Sequence, residues 1–232
     1  MKFLSCFCVG LFFTFFHAFS QDEQELLKKV KGRMDKVNDY QAEGKMKIDV
    51  SFIDAPSSKV TVYYKKPNKF KVKKSGGISI LPKGGISINA GSLLMDSNYD
   101  VVLGRDAMLN GVNTKVIKLL PSGSNSDVVL TTLYIDDKNL LIRKATVTTK
   151  ESGTYDMELD YGKFIEWGLP DKVVFSFNTK DYKLPKGITF EYEKGGKKKQ
   201  ETIKNKKGKV EISYSSYMIN KGIDDKIFAP SQ

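Results

Sequence analysis

Along most of this chain apolar side chains fall at every second position, the signature of strands with one dry and one wet face. The N-terminus departs from that rule. Phe3–Phe16 is a nearly unbroken apolar run, interrupted by Ser5, Gly10 and Thr14. Further on, Leu26, Leu27, Val30, Met34 and Val37 recur at helical spacing, with Lys28, Lys29, Lys31, Asp35 and Lys36 between them. This predicts an amphipathic helix, weakened by Gly32, that ends near Asn38-Asp39. From Gly44 the period becomes two: Met46, Ile48, Val50 and Phe52 alternate with Lys45, Lys47, Asp49 and Ser51. Lys59–Tyr64 and Lys69–Lys73 repeat the pattern around a bend at Pro67-Asn68, with Val60, Val62, Tyr64, Phe70 and Val72 on the dry side.

The middle of the chain is less regular. Gly-Gly-Ile-Ser-Ile occurs at Gly76–Ile80 and again at Gly84–Ile88, predicting two short strands or a flap, and Ala90–Met95 reads as a helical turn. Strands follow at Tyr99–Leu103 and Thr114–Leu120, about an Asn110-Gly111 turn. Asp127–Ile135 and Leu140–Thr149 flank Asp136-Asp137-Lys138-Asn139 as a hairpin. Thr154–Tyr161 alternates Tyr155, Met157, Leu159 and Tyr161 with polar residues, and Lys172–Phe177, Gly187–Tyr192 and Lys209–Tyr214 bring the total to about ten strands.

So many one-faced strands must cover their dry sides, either as a two-sheet sandwich or as one sheet curled round a helix. One amphipathic helix cannot fill the concave side of a long curved sheet. The remainder is an apolar hollow, of the kind that takes acyl chains, unless the same side chains simply pack on one another. The candidate lining residues are Met46, Ile48, Val50, Val62, Tyr64, Phe70, Val72, Tyr155, Met157, Leu159, Tyr161, Phe175 and Phe177. Leu26, Leu27, Val30 and Met34 would form the underside of the helical cover.

The opening residues change where this domain is expected to work. Met1-Lys2, the apolar run and the small residues Ala18 and Ser20 read as an export signal cleaved after Ser20, leaving residues 21–232 as one domain. The run is shorter than the ~18–20 residues a spanning helix needs. Both cysteines, Cys6 and Cys8, and the single histidine, His17, lie in that signal. The mature chain is thereby excluded from disulfides, from Cys- or His-ligated metal sites and from triads that need either residue. Leu4-Ser5-Cys6 stands at the start of the apolar run rather than after it, so it is not a lipidation site. The net charge is +11, carried by lysine; Arg33, Arg105 and Arg143 are the three arginines. Scarce arginine argues against nucleic acid, where planar forks are preferred. Lys194–Lys209 reads as a solvated hairpin tip or as a docking surface for anionic head groups or an acidic partner.

Several short motifs carry a resemblance. Lys65-Lys66-Pro67-Asn68-Lys69-Phe70, the Leu-Leu-Pro strand Leu119–Pro121, Leu133-Tyr134-Ile135-Asp136-Asp137, Gly168-Leu169-Pro170-Asp171 and the terminal Ile223-Asp224-Asp225-Lys226-Ile227-Phe228 stand in that order after the helix. The chain resembles the LolA/LolB/LppX-like family of periplasmic lipoprotein carriers over most of its mature length. That resemblance implies a mainly β (α+β) fold, a half-open curved antiparallel β-barrel with an N-terminal lid helix. It implies acylated lipoproteins or lipids as cargo, transient contact with membrane-bound release and acceptor proteins, a monomer, and no cofactor, metal or catalysis. In such carriers an arginine before the Pro-Asn pair holds the lid closed. Lys66 occupies that position here and lacks the planar fork; it is the lid-clamp candidate, or else a plain strand-end lysine.

Two other functions compete: a sensor of the same fold that binds a membrane-protein partner, and an envelope enzyme. The enzyme would have to use a Ser-Lys dyad or the carboxylate pairs Asp136-Asp137 and Asp224-Asp225. Neighbours in a strand point to opposite faces, and in turns such residues are usually turn-formers.

Overall fold

The computed structural model describes residues 19–49, 57–74, 93–94, 98–122, 126–151, 153–178 and 207–229. One helix, α1 (Phe19–Met34), precedes the strands β1 (Asp39–Asp49), β2 (Ser58–Lys65), β3 (Lys69–Lys74), β4 (Tyr99–Leu103), β5 (Ala107–Leu109) and β6 (Val112–Pro121). The second half supplies β7 (Val128–Asp136), β8 (Leu141–Thr149), β9 (Gly153–Asp160), β10 (Lys172–Asn178) and β11 (Lys207–Ile219). Two 3-10 turns, Ile165–Trp167 and Asp225–Phe228, lie beyond β9 and β11. Val50, Phe52, both Gly-Gly-Ile-Ser-Ile segments, Gly187–Tyr192 and most of Lys194–Lys209 lie outside the described residues. Of Ala90–Met95, Leu93 and Leu94 are described, in a 3-10 turn with Leu94 buried.

Among the described residues the strands form a single antiparallel sheet in the order β3-β2-β1-β11-β10-β9-β8-β7-β6-β4, with β5 paired to β6. The sheet is a curved, half-open barrel, and α1 covers its concave face. Pairing of β1 with β11 joins the two ends of the chain. That leaves β3 and β4 as the edges. The β3 edge carries the C-terminal 3-10 turn. Lys65 and Lys69 reach Asp225 at 2.7 and 2.9 Å, Lys71 donates to the Ala229 carbonyl, and the two lysine hydrogen bonds hold the Asp225 carboxyl down at about 2.

The helix stops short of the predicted Asn38-Asp39. Val37, which continues its apolar spacing, is buried in the turn that follows, where its N–H donates to the Met34 carbonyl in a tightened last turn. Asn220 fixes this turn by accepting from the Asn38 N–H at 2.7 Å and donating to the Lys36 carbonyl at 2.9 Å. The chain then enters β1 at once, ahead of the predicted Gly44, with Tyr40 and Ala42 already on the buried face.

At Gly44 the β1–β11 ladder carries a bulge. Glu43 pairs with Ser216 and Gly44 with Tyr214, so Ser215 is an extra residue. The buried face of β11 switches phase there, from Val210, Ile212 and Tyr214 to the half-buried Tyr217 and Ile219. A Cβ on Gly44 would lie 2.6 Å from the Ser213 carbonyl oxygen. Because that contact is backbone, Gly44→Ala should cost about 1–3 kcal/mol. The expected readout is a lower urea midpoint with unchanged slope.

Candidate functional site

Strand register aligns the dry-face side chains in rows across the sheet. One row runs Leu103, Ile117, Leu133, Ala145, Met157, Phe175, Val210 and Ile48, from the β4 edge through to β1. A second joins Val72, Val62, Ala42 and Tyr217. Among the predicted lining residues Met46, Ile48, Val62, Tyr64, Tyr155, Met157, Leu159, Phe175 and Phe177 are all buried in one core cluster. Phe70, Val72 and Tyr161 pack against it half-buried, and Val50 lies outside the described residues. Among the described residues most of this face is buried, its side chains packed on one another and on the underside of α1.

Of the four predicted lid residues, Leu27 and Val30 are buried, and Leu26 and Met34 are half-buried against the same cluster. Burying Leu27 and Val30 contributes about 1.5–3 kcal/mol each. Polar contacts fasten the C-terminal end of the helix. The Arg33 guanidinium donates to the Ile165 carbonyl at 2.6 Å, its Nε buried without a partner. Lys66 donates to the Asp35 carbonyl at 2.5 Å and meets the Asp35 carboxylate at 3.1 Å. A cation beside the last carbonyls suits the helix dipole.

Arg33 and Arg143 are the site residues that pattern reading did not single out. Arg143 binds Asp136 and lies over the Tyr161 ring, 5.3 Å from its centroid. The Tyr161 hydroxyl donates to the Ile142 carbonyl. Burial pushes the Tyr161 phenol up, while the charges of Arg143 and Arg33 oppose that rise. Arg33 and Arg143 thus both bear on Tyr161, near where the end of α1 docks on the loop after β9. The usable signal was rarity: in a lysine-rich chain, arginine stands where a planar fork is needed.

Three of the four paired carboxylates, Asp136, Asp224 and Asp225, have structural work. Asp136 accepts from Asn139 and Arg143. Asp224 caps the C-terminal 3-10 turn through the Lys226 N–H, and Asp225 joins Lys65 to Lys69. Among the described residues no group of three or more His, Cys, Asp and Glu side chains is placed to hold a metal, and no helix is long and apolar enough to cross a membrane.

No family model matches the sequence, and no curated protein matches it significantly. The architecture does match solved structures. An outer membrane lipoprotein-sorting protein domain from Vibrio parahaemolyticus superposes with a TM-score of 0.59 at 10% identity, covering 90% of this chain and 97% of that one. A LolA superfamily protein from Nitrosomonas europaea gives 0.52 at 12% identity, covering 89% and 97%. The chain has the LolA-type fold. A DUF1329 family protein from Desulfovibrio piger shares it, at a TM-score of 0.54 and 12% identity over 90% of this chain and 97% of that one.

Proposed function

We propose that this protein is a carrier of the bacterial cell envelope that holds the acyl chains of lipoproteins, or other lipids, against the concave face beneath α1. The observation that carries the reading is the mismatch between face and cover. Nearly every strand contributes to one continuous apolar wall, and the helix over it is sixteen residues long. Its described polar fastenings to the rest of the fold, Arg33–Ile165 and Lys66–Asp35, sit at its C-terminal end. Such a cover can swing from that end while the sheet keeps its ladder. Acyl chains replacing Leu27 and Val30 on the wall would be shielded from water at ~0.8 kcal/mol per methylene.

Cleavage after Ser20 falls in the first turn of α1, so the mature chain would begin at the cover itself. Asp136, Asp224 and Asp225 serve turns and ion pairs, which supports transport over catalysis. Cargo would be received from and delivered to membrane-bound proteins, with the carrier a monomer in the periplasm. Residues 21–232 exported and purified without detergent should retain lipid or acylated peptide, detected by native mass spectrometry. A protein with no bound lipid that also takes up none when mixed with vesicles would overturn this reading.

A further inference from the structure

We propose that the groove between the first turns of α1 and the β4–β6 edge binds the head group of a zwitterionic phospholipid, its ammonium on Glu23 and its phosphate on Lys138. The proposal rests on the carrier reading and names the class of lipid taken.

Glu23 is the anomaly. It stands four residues before Leu27 and seven before Val30, on the inward stripe of α1, and is 9% exposed. Among the described residues no hydrogen bond or ion pair engages its carboxylate, which points into a groove of about 600 Å³. The side chain is largely covered while the carboxylate has no partner among the described residues, so an ammonium in the groove would supply one. The surrounding charges favour the same sign of ligand. Glu25 is taken by Lys29 at 2.8 Å and Lys115 by Asp106 at 2.7 Å. That leaves Asp22, Glu23 and Asp137 facing Lys138 in the groove. An organic ammonium would pair with Glu23, and Lys138 in the same groove is available to an adjoining phosphate.

The floor of the groove fits the remainder of such a molecule. Leu103 is 49% exposed there, unusual for the inward face of a strand, and the neighbouring Ile117 is fully buried. These two begin the apolar row that crosses the sheet to Ile48. A head group at Glu23 thus sets its chains at the entrance to that row. The volume lies within the ~300–1,000 Å³ of small-molecule sites.

The test uses delipidated mature protein and two soluble lipids, dihexanoyl-phosphatidylethanolamine and dihexanoyl-phosphatidylglycerol, titrated by calorimetry. Wild type should prefer the ethanolamine lipid by about tenfold, equivalent to about 1.4 kcal/mol. Glu23→Gln, which keeps size and helix propensity, should bring the ratio near one by weakening the ethanolamine lipid alone. Leu103→Lys, at an exposed position, should do the same by offering Glu23 an internal ammonium. Equal binding of the two lipids by wild type, or a preference intact in Glu23→Gln, overturns the groove assignment and leaves the carrier reading standing. Failure of wild type to bind either lipid overturns the groove assignment, and joined to a failure to take up lipid from vesicles it overturns the carrier reading as well.

Discussion

Met157→Asp is expected to leave the chain without a cooperative unfolding transition, whereas Met157→Ala folds and becomes the variant most stabilised by lipid. Met157 is fully buried in the middle of β9, with Ala145 and Phe175 as its cross-strand neighbours. Truncation to alanine removes packing and leaves a cavity, at about 2–5 kcal/mol. A domain of this size commonly has ~5–15 kcal/mol in hand, so the alanine variant stays folded at room temperature. Aspartate adds an unpaired charge in the same place. No cationic side chain adjoins it in the row, and the additional penalty of several kcal/mol exceeds what remains. The alanine variant also separates two views of the interior. If acyl chains enter the row, they fill the vacated space, and lipid should raise the thermal midpoint of Met157→Ala more than that of wild type. If the wall is a core and nothing else, lipid leaves both melts unchanged. Circular dichroism melts with and without dihexanoyl-phosphatidylethanolamine decide between them.

How much of this was legible beforehand depends on how far each signal reaches along the chain. Strands β2, β3, β7, β8, β9 and β10 lie within a residue or two of the alternation, because an apolar residue at every second position has no other economical fold. The same alternation placed Met46, Ile48, Tyr155, Met157 and Leu159 on the buried face. It failed where one residue interrupted the pattern or shifted its phase. Gly44 hid the first half of β1, where Tyr40 and Ala42 continue the buried face. The extra Ser215 in β11 moved the inward residues to Tyr217 and Ile219, which period two cannot follow. β5, at three residues, is too short to show a period. Glu23 stands within the acidic run Gln21–Glu25, whose charge masks a spacing from Leu27 and Val30 that puts it on the inward stripe. Contacts such as Arg33 to Ile165 join residues far apart in sequence, and no local pattern encodes them. Whether a dry face encloses room or a packed core is set by the curvature of the whole sheet and the length of its cover, which the alternation of any one strand does not contain.

Asp136→Ala should lower the thermal midpoint by roughly 6–12 °C at neutral pH, from a loss of about 3 kcal/mol. Asp136 lies at the end of β7 with 3% of its side chain exposed. It accepts from the Asn139 backbone at 3.1 Å, from the Asn139 amide at 2.9 Å, and from the Arg143 Nε and terminal nitrogen at 3.2 and 2.8 Å. Alanine strands the Arg143 guanidinium, which is 20% exposed. The expected cost therefore sits at the low end of the ~3–5 kcal/mol for breaking one side of a buried pair. The effect should also reach α1, because Arg143 lies over Tyr161 and the loop after β9 is where Arg33 docks. Acid provides the internal control. Burial pushes the Asp136 carboxyl up, but the hydrogen bonds from Asn139 and Arg143 outweigh it and hold the group below its usual range. A carboxyl depressed on folding stabilises fully above its unfolded value of ~4 and loses that contribution as pH falls through its folded value. The melts of wild type and Asp136→Ala should therefore differ most at neutral pH and converge progressively below about pH 4. Melts that superimpose at pH 7 would mean that Arg143 finds another partner, and the arginine pair beneath the end of α1 would lose its anchor in this account.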